Sequence, residues 1–313
     1  MKILVTGGAG FIGSHLTREL LNENFEVCVV DNLSTGRREN LPENVKFFEI
    51  DVKDERLSGF LNGEKIEAIV HLAGQTMVDA SIKDPANDAD ENILGMISVL
   101  EAVRKTSVKR VIFSSSAAAY GDVDPNELPI LESHPLNPMS FYGLSKITAE
   151  NYLSLYNVLY GIEYVVLRFA NVYGERQGDG GEGGVISIFT KKLAENENIT
   201  IFGDGEQTRD FIYAGDIARG IVAALETTNI NTAYNLCGET ETSLRELVSV
   251  LSKIKGENII PNYAEERPGD IRRSVLSAQK AERGLSFRAK TPLKDGLMKT
   301  FKYFEQRVKE KNQ

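Results

Sequence analysis

The sequence predicts a doubly wound α/β chain, one parallel sheet with helices on both faces, followed by a smaller α/β lobe. Three observations predict it. Short β-branched runs alternate with amphipathic stretches, the pattern of repeated strand–helix–strand units. The runs RVIF (110–113) and VVLRF (165–169) are almost continuously apolar, as strands buried on both faces must be. A glycine-rich turn, moreover, joins the first run to the first amphipathic stretch.

In chain order, strands are expected at Ile3–Thr6, Glu26–Val30, Lys46–Glu49, Ala68–Leu72, Arg110–Ser114 and Tyr164–Phe169. Helices are expected between them at Ser14–Asn22, Asn87–Thr106 and Ser140–Leu159. The 313 residues are enough for about two lobes. Past residue 170 the texture changes: Gly174–Gly184 is dense in glycine and charge, and later pieces are shorter and more polar. The expected division is 1–170 plus about 214–236 (DIARGIVAALE as a helix, AYNL as a strand) for the sheet lobe, and 171–213 plus 237–313 for the second. The polar tail after Tyr303 is expected to fray.

Composition narrows the function. Apolar residues at 42% and charged residues at 26% exclude a disordered or collagen-like chain. A net charge of −9 and a pI near 5.1 argue against nucleic acid or an anionic membrane as partner. An anionic substrate would then need a locally positive site. Cys28 and Cys237 lie in apolar stretches and read as buried free thiols, and His15, His71 and His134 form no cluster, so no metal is expected. The first apolar run breaks into glycine after four residues, unlike a signal peptide, and no run of about 18 apolar residues occurs; a cytoplasmic protein is expected.

Thr6 to Gly13 (TGGAGFIG) follows the first strand and opens a helix. Gly7 suits the tight turn, Gly10 the close approach of a pyrophosphate, and Gly13 the packing of helix on strand. An anion there meets free N–H groups at the positive end of a helix. Asp31 closes the second strand, where a carboxylate accepts from an adenosine ribose and repels a 2′-phosphate, pointing to NAD; Arg37 and Arg38 in the same loop could instead pair a phosphate. Asp51 and Val52, after the third strand, fall at an adenine edge, or Asp51 is simply a loop cap.

Tyr142 and Lys146 stand at i and i+4 on one helical face. A free phenol, with a pKa near 10, is a poor base; an ammonium and a nicotinamide cation nearby would favour the phenolate. Between this pair and the glycine turn lies Ser114-Ser115-Ser116 at the carboxyl end of a strand, where open parallel sheets hold ligands. Ser116 could donate to a substrate oxygen or relay a proton to Tyr142, whereas Ser114 reads as a strand-end cap.

TGGAGFIG, DNLSTG, HLAG, SSSAAAYG, YGLSK, LRFANVYG and GDGEQTRDFIY, in this order, resemble the extended short-chain dehydrogenase/reductase family, and within it the NAD-dependent nucleotide-sugar epimerases and dehydratases. The resemblance spans nearly the whole chain and implies a Rossmann fold holding NAD. It implies Tyr142 as base, Lys146 as its partner on the nicotinamide ribose, and Ser116 as the supporting hydroxyl. It places Phe11 and Ile12 along the pyrophosphate, and Asp31, Asn32, Leu33, Ser34, Thr35 and Gly36 around the adenosine ribose. Leu72, Ala73, Gly74 and Gln75 pass under the cofactor, Asn92 orders that loop, and Ser114 and Ala170 complete the contacts. Asn171, Arg209 and Arg267 are implied to hold a substrate diphosphate, Thr200, Ile201 and Phe202 the uracil, Asp270 the uridine ribose, and Val185 the pocket wall. Surface ion pairs remain the better reading for Arg272 and Arg273. The run Gly178–Gly184 reads as a substrate flap or equally as a plain loop.

Dehydratases of this family carry an Asp-Glu pair after the catalytic hydroxyl, and decarboxylating members a Glu. Here Ala117 and Ala118 follow Ser116 and can move no proton. The resemblance thus implies 4-epimerisation, UDP-galactose to UDP-glucose, with NAD retained. A UDP-glucuronate epimerase, a nucleotide-sugar ketoreductase and a non-catalytic NAD sensor are the alternatives. Thr76, near the sugar, stands where classical bacterial relatives have lysine and bears on which hexose is taken; Ser274 stands where some relatives have a bulky tyrosine that excludes N-acetyl sugars, so UDP-N-acetylhexosamines are expected to be accepted too. A homodimer through the helices at 87–106 and 140–159 is also expected.

Overall fold

The computed structural model describes residues 1–178, 183–266 and 271–311. Among them run the strands β1 (Lys2–Thr6), β2 (Glu26–Asp31), β3 (Lys46–Glu49), β4 (Ala68–His71), β5 (Arg110–Ser116), β6 (Glu163–Phe169), β7 (Asn171–Tyr173), β8 (Thr200–Phe202), β9 (Thr208–Tyr213), β10 (Thr232–Leu236), β11 (Glu241–Ser243) and β12 (Asn262–Ala264). The α-helices are α1 (Phe11–Asn22), α2 (Leu57–Glu64), α3 (Val78–Lys83), α4 (Pro85–Ala89), α5 (Gly95–Arg104), α6 (Phe141–Tyr160), α7 (Val185–Ala194), α8 (Ala214–Glu226), α9 (Leu244–Lys255), α10 (Gln279–Leu285) and α11 (Leu293–Lys311).

Seven strands form one sheet in the order β10-β6-β5-β4-β1-β2-β3, every neighbouring pair parallel. Alternate residues of each strand serve opposite faces. Ile3 and Val5 pack with Leu16 and Leu20 of α1 and Ile217 and Ile221 of α8. Leu4 packs on the other side with Leu57 of α2, Met96 and Val99 of α5 and Leu153 of α6. This double burial is why the strands read as continuous apolar runs. The order reverses at β1, with β4 on one side and β2 on the other, and the crevice at the carboxyl ends there is where such sheets take ligands.

The remaining strands make a sheet β11-β9-β7 and a parallel pair β12-β8. A third core, with Phe189 of α7, Leu247 of α9 and Leu297 and Phe301 of α11, holds this lobe together. β10 belongs to the large sheet, so the chain enters the second lobe and returns before leaving again.

Three local expectations are corrected. The helix expected over 87–106 is α4, a π-helical turn at Asp90–Leu94, and α5. The fifth strand runs two residues further, to Ser116. The tail does not fray at Tyr303: α11 continues to Lys311, anchored by buried Phe301 and Phe304. Cys28 and Cys237 are free and buried. No helix among the described residues is long and apolar enough to cross a membrane.

Candidate active site

The glycine turn is built by contact. Gly7 has φ +68°, and a Cβ there would lie 2.7 Å from the Ala73 nitrogen. At Gly13 a Cβ would come within 2.2 Å of the Gly7 carbonyl oxygen, so α1 can approach β1 only with glycine. The Gly10 N–H donates to that same oxygen at 3.2 Å, and Phe11 and Ile12 then open α1 at the mouth of the crevice.

Asp31 is buried at the end of β2. Its Oδ2 accepts from the Ala9 N–H at 2.9 Å and its Oδ1 from the Leu33 N–H at 2.8 Å. Burial raises its pKa, and the N–H groups of Leu33, Ala9 and Gly10 pull it back. The loop that follows folds onto the carboxylate: a Cβ on Gly36 would sit 3.0 Å from both oxygens. Asn32, Ser34 and Thr35 lie exposed on this loop. Asn32 Nδ2 donates to Asp51 Oδ2 at 2.9 Å, so two residues expected around the adenosine meet, beside buried Val52.

Leu72, Ala73, Gly74 and Gln75 leave β4 over the sheet edge, with the Leu72 N–H on the Thr6 carbonyl at 3.2 Å. Gly74 has φ +150°, and a Cβ there would lie 2.4 Å from Asn92 Oδ1. Asn92, in the π-turn, donates to the Gln75 carbonyl and to Asp88 Oδ1, each at 3.0 Å. Its own Oδ1 is buried without a partner. Ser114 Oγ donates to the His71 carbonyl at 3.1 Å, tying β5 to β4, as a strand-end cap would.

Ser140 caps α6, accepting from the Gly143 N–H at 3.1 Å, and so sets Tyr142 in the first turn and Lys146 one turn on. Ser116 accepts from the Ala118 N–H at 3.1 Å and hydrogen-bonds Tyr142. The three therefore converge. Lys146 is buried; its ammonium lies 5.0 Å from the ring centre of Phe113 and 5.6 Å from that of Tyr142. Burial pushes the Tyr142 phenol up to about 12, against the Ser116 hydrogen bond, and the Asp88 charge adds to the rise. Burial brings Lys146 down to about 8, with Asp88 and Glu150 opposing. The ammonium meets the ring and not the oxygen, so desolvation outweighs it. Sequence reasoning missed Asp88, a carboxylate only 1% exposed, whose one signal was its place four residues before Asn92.

At the end of β6 the Ala170 N–H donates to the Leu236 carbonyl of β10 at 3.0 Å, and in the second lobe Asn171 opens β7 beside Phe211 of β9. Thr200, Ile201 and Phe202 form β8, and Val185 opens α7. Arg209 on β9 donates to the Thr208 and Ile271 carbonyls at 2.8 and 2.6 Å, fixing its guanidinium toward the segment after residue 270. Arg267, Asp270 and most of the run Gly178–Gly184 lie outside the described residues. Arg272 forms an exposed ion pair with Asp204, and exposed Arg273 pairs with half-buried Glu241.

The glycine cradle, the carboxylate at the end of β2 and the ammonium facing the sheet's carboxyl edge fit a dinucleotide. Comparison with known proteins agrees. Residues 3–237 match the model of the NAD dependent epimerase/dehydratase family. The chain is similar to the UDP-glucose 4-epimerase of Thermotoga maritima, solved with UDP-glucose: 41% identity, 98% of this chain and 100% of that one, TM-score 0.94. It is 37% identical to the UDP-glucose 4-epimerase of Mycolicibacterium smegmatis over 97% of this chain and 98% of that protein. It is also similar to the UDP-N-acetylglucosamine 4-epimerase of Methanobrevibacter ruminantium, at 34% identity over 98% of each chain, TM-score 0.92.

Proposed function

The chain belongs to the NAD dependent epimerase/dehydratase family, and from that membership we propose that it inverts C4 of a UDP-hexose, interconverting UDP-galactose and UDP-glucose. The observation that carries this reading is the turn after Ser116. Ala117–Ala119 form a single 3-10 turn that packs against Gly143 of α6, and no side chain in it can give or take a proton. The chemistry left is removal and return of hydrogen at one carbon.

When bound, NAD supplies the reversible hydride acceptor for that carbon. Tyr142 takes the C4 hydroxyl proton and later returns it. Ser116, bonded to the phenol, steadies the oxygen on which charge develops. Lys146 holds the nicotinamide ribose and lends positive charge. The 4-keto sugar turns about its diphosphate linkage and is reduced on the opposite face, so the nucleotide must stay held while the hexose moves. Arg209, with Asn171, Val185 and β8, supports a nucleotide site of that kind, and Arg267 and Asp270 are proposed to complete it.

We infer a second specificity from Ser274, which the resemblance sets where a bulky tyrosine in some relatives excludes N-acetyl sugars. The test is direct. Purified protein is given UDP-galactose, UDP-glucuronate or UDP-N-acetylglucosamine with no added cofactor, and the products are identified. Conversion of UDP-galactose to UDP-glucose is expected; oxidised or reduced sugar in stoichiometric amount would overturn the reading.

A homodimer is proposed on the apolar face around α6. Phe141, Leu144, Leu155 and Leu159 are exposed, and Val158 is 77% exposed. A face of that size on a long helix suits a second copy.

A further inference from the structure

Asp88 is a buried residue of α4. Oδ1 accepts from Gln75 Nε2 at 2.8 Å and Asn92 Nδ2 at 3.0 Å. Those two residues hold the segment that runs over the crevice floor, where Gly74 closes on Asn92. α4 also packs on α6, which carries Tyr142 and Lys146. Among the described residues Lys146 makes no ion pair; its ammonium meets only rings.

We propose that Asp88 is a positioning residue of the reaction: one buried carboxylate fixes Gln75 and Asn92 along the crevice and sets a negative charge against the helix that carries Tyr142 and Lys146. The proposal rests on the epimerase reading. Its field raises the proton affinity of both groups. Glu150 also opposes the fall at Lys146, but Asp88 is the carboxylate that acts on both groups. Glu150, one turn beyond Lys146, is paired with Arg168 at 2.6 Å. His71 of β4 is held neutral by burial, bonded to Thr6 Oγ1 at 2.8 Å. Asp90 and Glu91 of the π-turn pair with Lys53. Asp79 and Lys83 of α3 are exposed.

Asp88→Asn separates charge from shape, because an amide oxygen still accepts from Gln75 and Asn92. Two titrations are read on the protein as purified. One is phenolate absorbance, taken as the difference between each protein and its Tyr142→Phe counterpart; the other is the pH profile of kcat. Removing the charge should move the Tyr142 phenolate, and with it the acid limb of kcat, to lower pH by about one unit, with KM for the nucleotide sugar little changed. Asp88→Glu should restore both. Profiles of Asp88→Asn that superimpose on wild type overturn the proposal, even if kcat falls. Should Tyr142→Phe turn over normally, the epimerase reading fails, while the phenolate titration still decides the role of Asp88.

Discussion

The Lys146 ammonium faces the Tyr142 ring at 5.6 Å from its centre and makes no bond to the phenol oxygen. The pair therefore does not lower the phenol's pKa by direct contact. Ser116 is the group that does so, and what Lys146 adds it adds from the ring side, together with the cofactor it is placed to hold. The first two predictions follow from that division.

Tyr142→Phe should lower kcat about a thousandfold, the usual loss when a general base is removed. Nicotinamide content after gel filtration should match wild type, because the glycine turn and Asp31 are untouched. Activity within tenfold of wild type would refute the assignment.

Ser116→Ala removes the hydrogen bond that holds the phenol's pKa down, so that pKa should rise further above its already raised value. The acid limb of the kcat profile should move to higher pH, and activity at neutral pH should fall about tenfold per unit moved. An unmoved limb would show that Ser116 contacts only substrate.

Gly13→Ala should cost the cofactor. The added methyl meets backbone, the Gly7 oxygen at 2.2 Å and the Gly8 Cα at 2.5 Å, and backbone cannot step aside as a side chain can. Purified variant should carry little NAD and melt lower; full occupancy at the wild-type Tm would contradict it.

His15 links stability to pH. It stacks edge-on between Phe11 and Tyr213, and burial lowers its pKa to about 4, with Arg176 helping. The folded state thus binds fewer protons than the unfolded one between about pH 6.5 and 4, so stability is fully present above that window and is lost on acidification through it. His15→Phe should flatten the fall in urea midpoint over that range; an unchanged slope would exclude His15 as its source.

Val158→Glu should leave the fold intact and give a monomer by sedimentation, since the residue touches solvent and little else within one copy. A variant of unchanged mass would argue against α6 as the interface.

Much of the fold was legible because its signals are local. β1 to β6 declare themselves by apolar runs, and the glycine turn by sterics that only glycine meets. The converging trio Ser116, Tyr142 and Lys146 was legible for the same reason: strand end and helix start carry the motif. What the sequence hid depends on contacts distant along the chain. Asp88 reads as an exposed helix residue until α4 packs on α6. The π-turn at Asp90–Leu94 leaves no compositional trace, and α11 looked like a polar tail because its buried residues are spaced for one face only. The raised pKa of Tyr142 was unreadable, since it follows from desolvation and not from the neighbour four residues on.

β10 reaches the edge of the large sheet only after the polypeptide has already laid down β7, α7, β8 and β9 of the other lobe. On a ribosome, the six earlier strands must wait with β6 as an open rim, its backbone unsatisfied, until residue 236 has emerged. The nascent protein is thus most vulnerable to wrong pairing in that interval, and a chaperone's hold would matter most there.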